Sequence, residues 1–330
     1  MITVCHAGAH TLIQDLGRAG HYAMGLPPSG ALDQFSHRCA NLLVGNDPNA
    51  ATLEITMIGP TLEFATSARV AVTGGDVPVW IDGEAYGSWR TLAVHAGQRL
   101  TVGALHTGCR AYLAVRGGIG CPPFLGSRST YVSSAIGGLG GTALAAGDRL
   151  PIGSDSSTPC PGVGSTVDNH LRPRIEGEVH RVRVVEGLCH YRFDPDSVDV
   201  FFSSTFTVSP VSDRTGYRLI GPALEFMPRE PPFGAGDNPS NVVDLGYPMG
   251  SIQVPNGEEP ICLLRDAVTG GGYATIGTVI ASDLDLIGQM KAPDVIQFTP
   301  VSLEDALSAR RAQRQRLREV EFGIRLLELF

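Results

Sequence analysis

Twelve short runs rich in β-branched and apolar residues recur along the whole chain, separated by glycine- and proline-bearing breaks. They read ITVCH, TLEITMI, TLEFA, ARVAV, PVWID, RLTV, AYLAV, RVRVV, TFTVS, IQV, ICLL and VIQF. Each is too short for a stable helix and suits an extended segment, so the chain must pair them as strands. The 41 glycines and 23 prolines supply the tight turns such pairing needs, and Asp82-Gly83 is a turn signal between two of the runs. The reading is all-β with minor helices.

Two places break the strand pattern. From Ala31, Leu32, Phe35, Cys39 and Leu42/Leu43 recur at helical spacing, with Asp33, His37 and Asn41 on the other face and Gly45-Asn46 as a left-handed stop. Ser302-Leu-Glu-Asp305 resembles a helix start, and an arginine run from Arg310 to Arg318 is followed by apolar spacing from Val320 to Leu329. This helix is expected to reach Phe330, either covering one barrel with a solvated arginine face or serving as a docking arm for another chain. Residues 154–179 are polar, rich in Ser, Pro and Gly, and without periodicity. The expected organisation is therefore a first domain over 1–153 with a helical insertion near 31–45, a linker over 154–179, a second domain over 180–301 and a C-terminal helix over 302–330. A second Pro- and Gly-rich loop, 228–241, is either a lid or a plain loop.

The halves echo one another. Gly59-Pro60-Thr-Leu-Glu-Phe64 matches Gly221-Pro222-Ala-Leu-Glu-Phe226, and Arg18-x-Gly20-x4-Gly25 matches Arg214-x-Gly216-x4-Gly221. A strand ending in arginine occurs in each: AYLAV before Arg116 and ICLL before Arg265. Together the echoes favour a duplicated β-barrel.

The net charge of −8 argues against a nucleic-acid partner. Lysine is rare, so the positive charge is arginine, which favours fixed bidentate contacts. No run approaches the ~20 apolar residues of a membrane span, and the start has no signal-like stretch. Seven cysteines without a C-x-x-C pair suit reduced thiols and a cytoplasmic location, and no four-ligand metal site is in sight. Neither a phosphate-binding G-x-x-x-x-G-K-[ST] nor a G-x-S-x-G elbow occurs. Gly137 to Gly141 reads as a turn, and Met290-Lys291 lacks the second methionine of a biotin attachment site. No cofactor is expected on this chain.

The pattern QDLGRxGxxxxGxPxSGAxDxxSxxxANxLVGN, followed by LExTxxGPxLEF, resembles the carboxyltransferase-domain family. That family includes the second subunit of allophanate hydrolase, the C subunit of 5-oxoprolinase, the Kip A protein and a carboxyltransferase segment of urea carboxylase. Family-like blocks continue in order as RAYLAVRGGI, LGSRST, DRTGYRLIGPALEF, GSIQVPNGEEPICLLRDAVTGGGY and GTVIASDLDLIGQ, spanning residues 14 to 289. Thr215 departs from an expected methionine. The resemblance implies two related cyclophilin-like β-barrels, and a non-autonomous subunit of an enzyme acting on a lactam or a urea-like amide. It implies a partner like the first subunit of allophanate hydrolase, Kip I or the B subunit of 5-oxoprolinase, with ATP or carboxybiotin supplied by other subunits. The rival reading is a Kip A-like regulator that binds a kinase inhibitor without catalysis.

The residues that suit such chemistry are arginines and carboxylates beside glycines. Guanidinium forks hold carboxylate or carbamate, and carboxylates orient the forks or accept an amide proton. Asp15, Arg18, Arg214 and Asp266 are the expected catalytic set. Ser29, Asp33, Arg116, Arg128, Arg218, Gln253 and Tyr273 are the expected substrate-binding set.

Overall fold

The computed structural model describes residues 1–154, 158–230, 233–234 and 236–326. All twelve expected strand runs are strands, and Asp82-Gly83 turns between Val79–Ile81 and Glu84–Tyr86. Among the described residues four α-helices punctuate them: α1 (Gln34–Leu43), α2 (Pro195–Ser203), α3 (Leu284–Ile287) and α4 (Leu303–Leu326). Parts of the 154–179 linker, the 228–241 loop and the C-terminal helix (155–157, 231, 232, 235 and 327–330) lie outside the described residues.

The chain divides into two units. The first comprises 1–18, 29–176 and the helix residues from Arg314; the second comprises Ala19–Pro28 and Gly177–Gln313. The division at 176/177 falls inside the expected linker. Two assignments differ from the sequence reading: residues 19–28 group with the second unit, and the later turns of α4 group with the first.

In the first unit the strands form two antiparallel sheets. One runs, in spatial order, Arg149–Leu150, Ile2–His6, Thr61–Phe64, Arg99–Val102, Val79–Ile81, Glu84–Tyr86. The other runs His10–Gln14, Thr52–Thr56, Arg110–Val115, Ala68–Gly74, Thr91–Val94. The central strand Arg110–Val115 is buried on both faces, which explains its unbroken apolar run. Its alternation splits the side chains: Ala111, Leu113 and Val115 join the core shared by both sheets. Tyr112 and Ala114 face α1, packing with Phe35, Cys39 and Leu43.

Asp33 caps α1 through its carboxylate, which accepts from the Ser36 amide at 2.9 Å. Gly45, at φ 69°, ends the helix: its N–H donates to Leu42 O at 3.0 Å and the Asn46 N–H to Asn41 O at 2.9 Å. The supposed polar face of α1 is buried too, His37 and Asn41 included. His37 Nδ1 pairs with Thr52 Oγ1 at 2.9 Å.

The second unit holds a closed seven-stranded barrel: His180–Glu186, Thr275–Val279, Ser251–Gln253, Ile261–Leu263, Gly216–Ile220, Thr205–Val208 and Val295–Pro300. It closes through a parallel pair between the first and last of these. Helix α2 contributes Phe201, stacked on Phe298 at 4.8 Å and tilted against Phe206 at 5.5 Å. The sequence echoes are only partly structural. Both strand-then-arginine segments are strands, whereas Thr61–Phe64 is a strand and its echo 223–226 contributes a single bridge, Phe193 to Phe226.

Helix α4 begins as expected, with Ser302 and Asp305 in a reciprocal cap: Ser302 Oγ donates to Asp305 Oδ2 at 2.6 Å and the Asp305 N–H donates to Ser302 Oγ at 3.1 Å. Its later turns are not a free docking arm. Val320 and Ile324 are buried with Phe35 and Leu171 in the first unit, and Arg316 lies 4.6 Å from the Phe35 ring centroid. The α1 surface left uncovered by the sheet needs that cover.

Candidate functional site

In the first unit, three expected residues converge on the loop 127–129. Asp15 follows the strand His10–Gln14 and is buried, and its Oδ1 accepts from Ser127 Oγ and Ser129 Oγ at 2.6 Å each and from the Gly17 N–H at 2.8 Å. Oδ2 accepts from the Arg128 N–H at 2.6 Å. Arg18 is buried and its Nη2 donates to Ser129 O. Arg128 turns its side chain away, with Nε on Cys121 O at 2.8 Å. Gly137, at φ 70°, lies in the turn read from the sequence; a Cβ there would stand 2.1 Å from Ser129 O and 2.9 Å from Arg18 Nη2, so only glycine fits against this arginine.

The turn at 29–33 is held amide by amide. The Gly30 N–H donates to Gln14 Oε1 at 3.1 Å, Ala31 N–H to Asp15 O at 2.8 Å, Leu32 N–H to Glu54 Oε2 at 2.9 Å and Asp33 N–H to Tyr112 OH at 2.8 Å. Tyr112 OH in turn donates to Glu54 Oε2 at 2.8 Å, and Arg110 Nε lies 3.8 Å from Glu54 Oε1. Burial, with the Glu54 charge beside it, pushes the Tyr112 phenol well above its ordinary range and keeps it a neutral donor. The partners come from three neighbouring strands of one sheet, so the turn is rigid by construction.

At its start stands Ser29, which is fully buried, has φ 53°, and carries a hydroxyl with no hydrogen-bond partner among the described residues. A non-glycine residue in the left-handed region with an unsatisfied buried hydroxyl is costly on both counts, and such strain gathers at functional positions. Gly30 follows at φ 93°, where a Cβ would meet the Gly17 N at 2.8 Å.

Two expected site residues of this unit are structural in this arrangement. Asp33 is the α1 cap, also accepting from Ser36 Oγ at 2.6 Å. Arg116 braces the other end of that helix, donating to Val44 O at 3.1 Å, Gly45 O at 3.0 Å and Thr158 O at 2.7 Å. A ten-residue helix is about 15 Å long, so Arg116 stands that far from the turn at 29–33.

In the second unit, Arg214 and Asp266 form a buried two-pronged pair: Nε to Oδ2 at 2.7 Å and Nη2 to Oδ1 at 3.2 Å. Beside Asp266 in sequence, Arg265 is buried and places Nη1 3.8 Å from Met249 Sδ. Tyr22, from the segment Ala19–Pro28, lies close enough to feel that guanidinium. Burial raises the Tyr22 phenol and Arg265 opposes the shift. Gln253 is buried at the end of its barrel strand. Arg218 and Tyr273 do not join the pair's buried surroundings. Arg218 points outward to an exposed ion pair with Glu259 at 3.6 Å, and Tyr273 is exposed, its backbone N–H donating to Tyr247 OH at 2.7 Å.

Sequence reasoning missed Gln14, Glu54, Tyr112, Ser127 and Ser129. The available signal was a charged residue at a core position of the TLEITMI strand and a glutamine ending HTLIQ, each of which must be partnered if buried. Among the described residues no cluster of three or more His, Cys, Asp or Glu could hold a metal ion, and no helix is long and apolar enough to cross a membrane.

Residues 24–300 match the family "carboxyltransferase domain, subdomain A and B". The chain belongs to that family. It is 39% identical to the C subunit of the Escherichia coli 5-oxoprolinase over 316 residues, which covers 96% of each chain. It is 36% identical to the urea amidolyase of Saccharomyces cerevisiae over 99% of its own length, but spans only 18% of that protein. Among solved structures, the Kluyveromyces lactis urea carboxylase superposes with a TM-score of 0.91 at 35% identity, covering 98% of this chain and 29% of the other. The all-β reading, the family resemblance and the match to carboxyltransferase segments agree.

Proposed function

We propose that this chain is the C-type subunit of a heteromeric 5-oxoprolinase, opening a small lactam with ATP in concert with a partner resembling the B subunit of 5-oxoprolinase. Support for the oxoprolinase reading comes from similarity that extends over 96% of the bacterial C subunit, a whole protein rather than a segment of a larger one. The observation that carries an amide-directed chemistry is the Ser29 hydroxyl, buried, unsatisfied and set on a turn whose next four amides are pinned.

Once its cover opens to substrate, a preorganised donor of this kind binds an amide carbonyl oxygen and strengthens its bond as negative charge develops there. Asp15, with four donors on its two oxygens, then serves to position the 127–129 loop and Arg18 rather than to move a proton. Asp266 retains lone pairs beyond the two engaged by Arg214 and is the better candidate to accept an amide N–H. Nucleotide chemistry belongs to another chain of the complex in this reading. Carboxyl transfer to urea is the second reading, favoured by the superposition on urea carboxylase.

Co-expression with the B-type partner, followed by assays of ATP-dependent glutamate release from 5-oxoproline and of urea carboxylation with a biotin carboxylase, tests the assignment. Ser29→Ala should lower kcat by ~10²–10³-fold, the loss of one oxyanion-type donor. Removing an unsatisfied buried hydroxyl should leave stability equal or higher. Full activity in Ser29→Ala would remove the donor role, and turnover of neither substrate by the wild-type complex would remove the amide reading.

A further inference from the structure

The first unit contains a cleft that shares no residue with the Ser29 cluster. It has a volume of about 670 Å³ and is lined by Arg90, Arg172, Ser88, Thr166 and Asn169 among others. A second hollow of about 520 Å³ adjoins it, sharing Asp76, Ser88 and Arg172 and exposing the neighbourhood of Trp89 and Arg174. Spaces of this size hold metabolite-sized ligands.

The two guanidinium groups are placed by a rigid frame. Arg90 sits where residues 89–91 are stitched to 164–167: the Thr91 N–H donates to Ser165 O at 2.9 Å, Val167 N–H to Trp89 O at 3.3 Å, and Arg90 bridges Thr166. Arg172 is tied back to the same segment, Nε to Val167 O at 2.9 Å, and lies 5.8 Å from the centroid of the Trp89 ring. Trp89 is itself buried and anchored, Nε1 to Gly74 O at 3.1 Å.

Arg90 and Arg172 share the cleft lining with Asp76 and Asp168. Asp76 is committed to His106 at 3.2 Å. Asp168 is near enough to support Arg172 electrostatically, yet neither arginine forms an ion pair among the described residues. Burial pushes the Arg172 guanidinium down from its ordinary range, and Arg90 adds like-charge repulsion against the weaker attraction of Asp168. An oxyanion seated between the two guanidinium groups would relieve that repulsion.

We propose that Arg90 and Arg172 form a binding site for a small anion bearing a carboxylate or phosphate group, separate from the amide site. Guanidinium forks suit both planar and tetrahedral oxyanions, and Ser88, Thr166 and Asn169 supply neutral hydrogen-bonding groups around them.

The chain has two tryptophans, so Trp80→Phe leaves Trp89 as the single reporter beside Arg172. This protein is titrated with inorganic phosphate, succinate and chloride at constant ionic strength, by fluorescence and by calorimetry. Saturable binding of phosphate or succinate, absent with chloride, is expected. It should weaken at least tenfold in Arg90→Gln, an exposed position whose replacement leaves the Trp89 contact intact, and persist in Ser29→Ala. Phosphate alone would identify a phosphate-bearing ligand, and succinate alone a carboxylate. A response matching chloride by both methods, or an affinity unchanged by Arg90→Gln, overturns the proposal. Because the Ser29→Ala arm reads binding here and turnover there, failure of the amide reading leaves this result standing.

Discussion

Asp266→Ala should unfold the second unit far more readily than an exposed ion-pair deletion would. From sequence alone an Arg-Asp pair at a barrel rim reads as exposed, worth about 0–1 kcal/mol, with Arg214 replaceable at little cost in melting temperature. The structure removes that premise. The Arg214 and Asp266 side chains are 8% and 6% exposed and share two hydrogen bonds. Breaking a buried pair from one side leaves the other charge desolvated and costs roughly 3–5 kcal/mol. For a unit of this size each kcal/mol moves Tm by about 2–4 °C, so a fall on the order of 10 °C is expected for Asp266→Ala and for Arg214→Ala.

Urea unfolding followed by barrel-specific hydrogen exchange measures the loss in the second unit directly. The double replacement Arg214→Met with Asp266→Leu separates pairing from packing: removing both charges should recover most of the stability of the single variants. The reconstituted complex bearing the double replacement should still be inactive if the pair handles the substrate. A single variant that loses under 1 kcal/mol would refute the buried-pair argument. A double variant that regains activity would make the pair a brace and nothing more.

His37 is fully buried, and burial drops its imidazole to about 4. The folded state therefore holds it neutral while the unfolded chain takes up a proton below about 6.5, so its contribution is fully present above that pH and is lost as pH falls toward 4. The loss amounts to about 3 kcal/mol, and His37→Gln should flatten the urea-midpoint profile in that window; an unaltered profile would remove His37 as its source. Ile324→Ala should destabilise the first unit by about 2–5 kcal/mol because the side chain is 3% exposed in the α1 core, and chemical denaturation showing a change below 0.5 kcal/mol (on the order expected for a surface site) would return α4 to the role of a free arm.

Strand positions were legible because a paired extended segment advertises itself in period and composition, and each expected run pairs as a strand. The runs not foreseen, such as Gly270–Tyr273 and Thr275–Val279, are glycine-rich or threonine-rich and owe their extension to neighbours rather than to their own side chains. Helix α2 was equally unannounced, although Asp194 before Pro195 is a start signal and the Asp194 carboxylate does accept from the Asp196 amide at 2.9 Å. Its seven-residue spacing to the Phe201 core contact is too brief for periodicity to declare itself.

The candidate site was legible as a set of residue types and illegible as a set of roles. Asp15, Asp33, Arg18 and Arg116 all look alike in a glycine-rich sequence, yet one anchors a serine loop, one caps a helix, one reaches the loop's carbonyl and one braces the helix end. For Asp15 and Arg18 the role is set by Ser129, more than a hundred residues away, and for Arg116 by carbonyls some seventy residues away, so only the Asp33 cap, bonded three residues on, was within reach of local sequence. Ser29 differs in kind. Its significance lies in what it lacks, and a missing partner is visible only once every neighbouring amide has been given one. The four pinned amides after it make displacement of the turn expensive, since moving the Ser29 backbone breaks bonds worth about 0.5–1.5 kcal/mol each. Because Ser29 is fully buried, a carbonyl oxygen can reach this donor only when its cover opens, so a loss of kcat in Ser29→Ala without a loss of stability is the observation that would tie the strained hydroxyl to a charged intermediate.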